Sequence, residues 1–361
     1  MTSTRSKLSA DERDAIHRLT AYDGVRGALY RYFRGVDRQD WALAKTAYHT
    51  ESIDSHGIYY GPGAGMIDFL SEHRDSMFEY TYHAGSCQRI ELDGDVARVE
   101  TYGYSIDRAP APAAGGPKTD FSMAARLADR VELRDGIWAI AHRILIIDFG
   151  GIYPVVPFDL PPEAVLGTDG PDDPSYSIGG VTVNYMPSPV PELDDPQLLA
   201  SLLAKEEIRN LIATSCRALD RFDWEQLRAC YHDDATEDRG FFAGSADEFV
   251  AFSKSWLTSW IENSSHRALM SHIDLRGDLA LVETLVQISL RGTPPQAGEA
   301  GDVTLAGRFL DRIERRGGQW KLSKRTLVFD ATRFDALAAE YEHPPSAIYG
   351  TRDRNDPSYS I

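Results

Sequence analysis

At 361 residues the chain is about twice the length of an ordinary domain, and its 42% hydrophobic content allows a core in each half. A formal net charge of −17 argues against nucleic acid or an anionic membrane as partner, because both need a basic surface. Three cysteines without a CxxC pair carry no zinc, redox or disulfide signature.

The opening "MTSTRSKLSADERDAIHRL" has no apolar run of the signal-peptide kind, and a reducing, cytoplasmic setting is expected. Ser9–Glu12 reads as a capping box. It starts an amphipathic helix with Ile16, Leu19, Val25, Leu29 and Phe33 near helical spacing. A short helix follows Asp37 or Asp40, and a third begins after Gly65. The period then changes to that of strands. One hairpin turns at the Asp-Gly pair Asp93–Gly94, and a second turns at the "RDG" that precedes "IWAIAHRILIID". The most apolar stretch, "WAIAHRILIIDFGGIYPVVPF", is broken by His-Arg, Asp, Gly-Gly and Pro and cannot span a bilayer.

The same order then starts again. "DPSYSI" at 173–178 recurs at 356–361, a shift of 183 residues. That shift lays Asp37 on Asp220, Trp41 on Trp224, Tyr48–His49 on Tyr231–His232, Gly57 on Gly240 and His83 on His266. After two Pro/Gly-rich loops of unequal length it becomes 182, laying Arg126 on Arg308, Asp129 on Asp311, Arg143 on Arg325 and Asp148 on Asp330. The reading is a tandem duplication. A first domain with its tail spans 10–178, a proline-rich linker 179–196, and a second domain with its tail 197–361. Helices first and antiparallel strands after give an α+β class. Two tandem cone-shaped α+β barrels are expected, each a curved antiparallel sheet wrapped by its N-terminal helices. The halves are expected to form an internal pseudo-dimer, with further homo-oligomerisation open.

In each unit, "DRxDW", "YH", an acidic residue before Gly, a lone His opening a strand, "R(L/F)xDR(V/I)E" and "W…(H/K)R…D" follow in one order. This pattern resembles SnoaL-like domains of the nuclear transport factor 2-like superfamily. The resemblance implies an Asp–His dyad, Asp37 with His83 and Asp220 with His266, in which the Asp orients the His as base. It further implies Tyr32 as an acid, a place for Arg143 and Arg325 at the cavity, and no metal or cofactor. By alternation His56, Tyr59 and Tyr60 line a pocket with Asp54, and Tyr102 joins them. The residues also allow plainer roles. Asp37 and Asp220 could be helix N-caps, and the two arginines could form ion pairs with carboxylates on neighbouring strands. His49 and His232 read as structural.

The function expected from the resemblance is a cofactor-independent lyase. It would carry out a dehydratase-type elimination, or a related C–C cleavage such as formaldehyde release, on a small hydrophobic, aromatic or polycyclic substrate of aromatic-compound catabolism. An isomerase or cyclase of the same fold, and a non-catalytic binding or assembly module, stay open. The first unit holds the richer titratable set. The hexapeptide tails are expected to dock on a unit, with Tyr176 and Tyr359 as anchors, or to lid a cavity.

Overall fold

A computed structural model describes residues 8–112, 115–156, 160–193, 195, 197–295, 297–337 and 350–359, without the side chain of Cys87. The chain divides into two compact units. Unit 1 comprises Met1–Pro154, Asp169–Pro171 and Asn184–Glu206, and unit 2 comprises Val155–Thr168, Asp172–Val183 and Glu207–Ile361.

In unit 1, helix α1 (Ala10–Asp37) begins at Ser9 with the expected capping box. That reciprocal pair satisfies two otherwise orphaned amides and contributes about 1 kcal/mol. Val25, Leu29, Tyr32, Phe33 and Val36 share one face and are buried against the sheet. After α2 (Trp41–Lys45) come β1 (Tyr48–Ser55), β2 (Tyr60–Pro62), α3 (Gly63–Met77), β3 (Tyr80–Asp93), β4 (Val96–Ala109), β5 (Thr119–Arg134) and β6 (Ile137–Pro154). The sheet order is β2-β1-β6-β5-β4-β3. It is antiparallel except where β1 lies parallel to β6, a departure from the all-antiparallel expectation. The β5–β6 turn places both Asp135 (φ 51°) and Gly136 (φ 78°) in the left-handed region, as a two-residue hairpin turn with right-handed twist requires.

In unit 2 the tail of the first repeat supplies β7 (Val165–Leu166), β8 (Ser177–Ile178) and β9 (Val181–Thr182). Then α4 (Leu198–Asp220), α5 (Trp224–Ala229), β10 (Tyr231–Asp238), β11 (Ala243–Ser245), α6 (Ala246–Trp260), β12 (Ile261–Arg276), β13 (Leu279–Gly292), β14 (Gly301–Arg316) and β15 (Gln319–Ala336) repeat the first series. The order β11-β10-β15-β14-β13-β12 matches that of unit 1, and β7 adds to β15 in parallel at Val328 and Phe329. The sequence reading places residues 155–178 wholly with the first domain, whereas most of that stretch belongs to unit 2. The physical reasons are local: β7 extends the unit 2 sheet, and Asp173 is buried against Arg308 of β14. Gly240 (φ 74°) has no room for a side chain, since a Cβ there would stand 2.3 Å from Ala164 Cα. Among the described residues no helix is long and apolar enough to cross a membrane.

Candidate functional site

In unit 1, Asp37 ends α1 and His83 lies on β3. His83 Nδ1 is 2.6 Å from Asp37 Oδ1, and the His83 amide donates to Asp37 Oδ2 at 2.8 Å. The carboxylate thereby orients both the ring and the backbone of its partner. Asp37 caps no helix, because the N-cap of α2 is Asp40, which accepts from the Leu43 amide. The other ring nitrogen, Nε2, lies 3.9 Å from Asp107, whose second carboxylate oxygen accepts from Ser105. Burial works against a charge on His83, yet Asp37 and then Asp107 carry its pKa up to about 9. Asp37 and Asp107 thus bias this imidazole toward its charged form.

A second chain of side chains runs beside it. Tyr32 Oη is 3.3 Å from His56 Nε2, His56 Nδ1 is 3.1 Å from Asp54, and Tyr48 donates to the other Asp54 oxygen. Burial raises the Tyr32 phenol pKa, with the Arg143 charge opposing. Arg143 does not reach the cavity expected for it. It is fully buried in a bidentate pair with Asp129 at 2.7 and 2.8 Å and stacks over Tyr32. The cavity lined by Tyr32, Phe33, His56 and His83 has a volume of only about 40 Å³, room for little more than a water. Three expected wall residues lie outside it. Tyr59 turns back to donate to the Pro62 carbonyl, while Tyr60 and Tyr102 are 78% and 52% exposed.

Unit 2 keeps the dyad and changes its surroundings. His266 Nδ1 is 2.7 Å from Asp220 Oδ1, the His266 amide donates to Asp220 Oδ2 at 2.8 Å, and Ser264 adds a third donor. Under the repeat shift Ser105 and Asp107 become Ile288 and Leu290, and Tyr32–Phe33 become Ser215–Cys216. Two rings are thus lost from the interior, and a carboxylate is lost beside the imidazole. The cavity that opens measures about 300 Å³, within the range of small-ligand sites. His266 lies in its wall with Phe241, Trp256, Leu290, Leu305 and Phe329, and Leu160 and Pro161 from the segment before β7 close it. Phe241 stacks on Trp256 with centroids 5.4 Å apart. As in unit 1, Arg325 corrects the expectation: it is fully buried, pairs bidentately with Asp311, donates to Ser215, and is absent from the cavity wall. Burial pushes the Cys216 thiol up to about 11, so it is not a nucleophile.

Arg239 stands in the place of His56 and lines this cavity. Its Nε donates to Glu237 at 2.8 Å, and its buried Nη2 meets no hydrogen-bond partner among the described residues. Glu237 also accepts from Tyr231, and its own pKa is raised by burial against the Arg239 charge. A buried guanidinium hydrogen left without an acceptor costs about 1–3 kcal/mol unless something else accepts it. The sequence reading notes Arg239 only as a replacement and does not select it. The one signal available is a change of residue type at a position shared by the two repeats. Nothing in the sequence marks Leu160 and Pro161 as walls.

The dyad, the unspent donor and the apolar cavity of unit 2 together suit removal of a proton from carbon beside an oxygen that gains charge. Comparison with known proteins bears on the family. A model of the "SnoaL-like domain" family matches twice, at residues 17–144 and 200–326. No curated protein matches the sequence. Among solved structures, a provisionally assigned scytalone dehydratase from Novosphingobium aromaticivorans is 21% identical, covering 41% of this chain and 96% of its own, with a TM-score of 0.34. The hexachlorocyclohexane dehydrochlorinase LinA-type3 from Novosphingobium barchaimii is 19% identical, covering 41% and 99%, with a TM-score of 0.35. A protein of unknown function from Mycobacterium tuberculosis, solved as a single-residue variant, is 20% identical, covering 40% and 78%, with a TM-score of 0.31. The two family matches take in most of the chain, and the protein belongs to the SnoaL-like domain family, with one family domain in each repeat.

Proposed function

We infer that the protein is a cofactor-independent lyase whose working site is the cavity of unit 2. His266 Nε2 takes a proton from the carbon next to a carbonyl, and Asp220 holds the ring and balances the imidazolium. The Arg239 guanidinium donates to the carbonyl oxygen as it becomes an enolate. The electron pair left on carbon forms the new double bond as the β-hydroxyl departs, and the imidazolium returns its proton to that hydroxyl. The products are a conjugated carbonyl compound and water, and the base is restored.

The observation that carries this reading is the placing of the Asp220–His266 pair and Arg239 in the wall of one 300 Å³ apolar cavity. An apolar, ring-bearing substrate suits the Phe241–Trp256 wall. Unit 1 retains the dyad in a structural role, its imidazole biased toward the charged form and its cavity too small for such a ligand.

The test is incubation with 4-hydroxy-4-phenylbutan-2-one, followed by absorbance of the enone. Turnover that disappears in His266→Ala and survives in His83→Ala is expected. Retention of full activity in a folded His266→Ala protein would overturn the assignment. A product of unchanged mass would turn the reading to an isomerase.

A further inference from the structure

The two copies of the hexapeptide both dock on unit 2, at different places. Asp173 of the first accepts from Arg308 in β14, and the same guanidinium holds Glu283 and Asp330, all of them buried. The matching cluster of unit 1, Arg126 with Glu100 and Asp148, is part-exposed. The second copy lies instead at the end of α4. Asp356 is 3% exposed, accepts from the Thr351 and Ser358 amides and pairs with Arg221. Tyr359 donates to Asp223 at 2.9 Å, and Asp223 is the N-cap of α5. The tail is thus tied to the loop that follows Asp220.

That docking brings Arg352 to the dyad. Its Nη1 donates to the Ile261 carbonyl at 2.8 Å and its Nη2 to Ser264 Oγ at 3.1 Å, while the guanidinium lies 3.7 Å over the Phe222 ring. Burial lowers the Arg352 pKa to about 10, with the Asp220 charge opposing, so it remains a cation at neutral pH. Ser264 Oγ in turn donates to Asp220 Oδ1 at 2.8 Å, the oxygen that His266 Nδ1 meets. A serine hydroxyl has one hydrogen, and accepting from a cation leaves that hydrogen for the carboxylate. Neither Arg352 nor Ser264 lines the cavity.

Unit 1 is built differently at the same positions. Under the repeat shift Arg352, Ser264 and Leu257 correspond to Asp169, Thr81 and Arg74. There the tail brings a carboxylate, Asp169, which pairs at 3.3 Å with Arg74 of α3. Among the described residues the buried Thr81 hydroxyl meets no hydrogen-bond partner. The relay from tail to dyad accordingly belongs to the unit with the wider cavity.

We propose that Arg352 is a positioning residue of the unit 2 dyad, holding Ser264 so that its hydroxyl fixes Asp220 and, through Asp220, the ring of His266. The role rests on the reading of His266 as the base. The second tail braces that base from outside the cavity, where no substrate reaches.

Two readouts on the full chain test this. One is enone formation from 4-hydroxy-4-phenylbutan-2-one. The other is the downfield proton NMR signal of the His266 Nδ1–H, assigned by its loss in His266→Ala. R352Q should lower kcat about tenfold with KM nearly unchanged, as a small misplacement of a catalytic group does. It should also broaden the NMR signal through faster exchange with water. In an S264A background R352Q should cost less than about twofold more, because Arg352 acts through that hydroxyl. Y359F, which loosens the tail at Asp223 only, should leave both readouts as in the wild type. Full kcat with an unaltered signal in R352Q, an undiminished R352Q effect in the S264A background, or equal losses in Y359F would each overturn the proposal. A wild type without turnover counts against the lyase reading, and the NMR comparison then decides the positioning role by itself.

Discussion

The two units carry the same dyad on the same elements and differ in what surrounds it. In unit 1, Tyr32 and Phe33 occupy the space in front of His83, and Asp107 faces its outer nitrogen. In unit 2 the two ring positions carry Ser215 and Cys216, and Leu290, in the wall of the larger cavity, replaces the carboxylate. A dyad by itself is therefore not a catalytic signature. The groups around the second nitrogen decide whether the imidazole is a charged structural link or a base with access to a ligand. A similar contrast holds at the two arginine clusters. Arg308 and Arg126 have equivalent strand neighbours, but only Arg308 is sealed from water by the hexapeptide.

The largest effect expected is on turnover. His266→Ala should lower kcat/KM by about 10²–10⁴, the range for loss of a general base, while His83→Ala should leave it within about threefold. Enone-forming kinetics on both variants check this, and equal losses would break the contrast between units. Arg308→Ala should destabilise the protein by about 3–5 kcal/mol, because it strands three buried carboxylates, whereas Arg126→Ala should cost far less, since water screens its partners. Chemical denaturation at fixed, low protein concentration measures both. Arg239→Met, which keeps the bulk and removes the donor, should cost about 10²-fold in kcat and little in KM, the split expected of a donor that acts mainly in the transition state.

Smaller effects concern unit 1 alone. Replacing Asp107 by Leu, the residue unit 2 carries, should lower the His83 pKa from about 9 by roughly one unit, as read by NMR titration of the imidazole. The folded value lies above the ordinary 6.5, with Asp37 and Asp107 favouring the charge and burial and Arg74 opposing it. Its stabilisation is therefore fully present below about pH 6.5 and is lost as pH rises through about 9. The melting-temperature advantage of wild type over His83→Gln should shrink across that window.

Much of this was legible in the chain. The capping box at Ser9 and the hairpin turns follow local patterns, and the contacts of Asp37 with His83 and Asp220 with His266 join positions that recur at one shift. The repeat made each position testable against its twin. The choice of Tyr59, Tyr60 and Tyr102 as walls failed because strand alternation names a face without saying how far along the strand the cavity extends. Of the two roles open to Arg143 and Arg325, the ion pair is the one observed and the place at a cavity is not, because Asp129 and Asp311 sit directly across the hairpin, where a bidentate pair forms in the core.

By itself the sequence determined the duplication, the α+β class and the order of elements, since each depends on short-range periodicity, turn chemistry or comparison of one half with the other, while the pairing of each Asp with its His came from the family resemblance. Only the tertiary structure decided that Asp107 faces His83, that Arg239 keeps a donor unspent, and that Leu160 and Pro161 close the wider cavity. Those facts depend on distances between residues far apart in the chain. Desolvation and Coulomb forces act over a few ångströms of space, whatever the separation along the sequence.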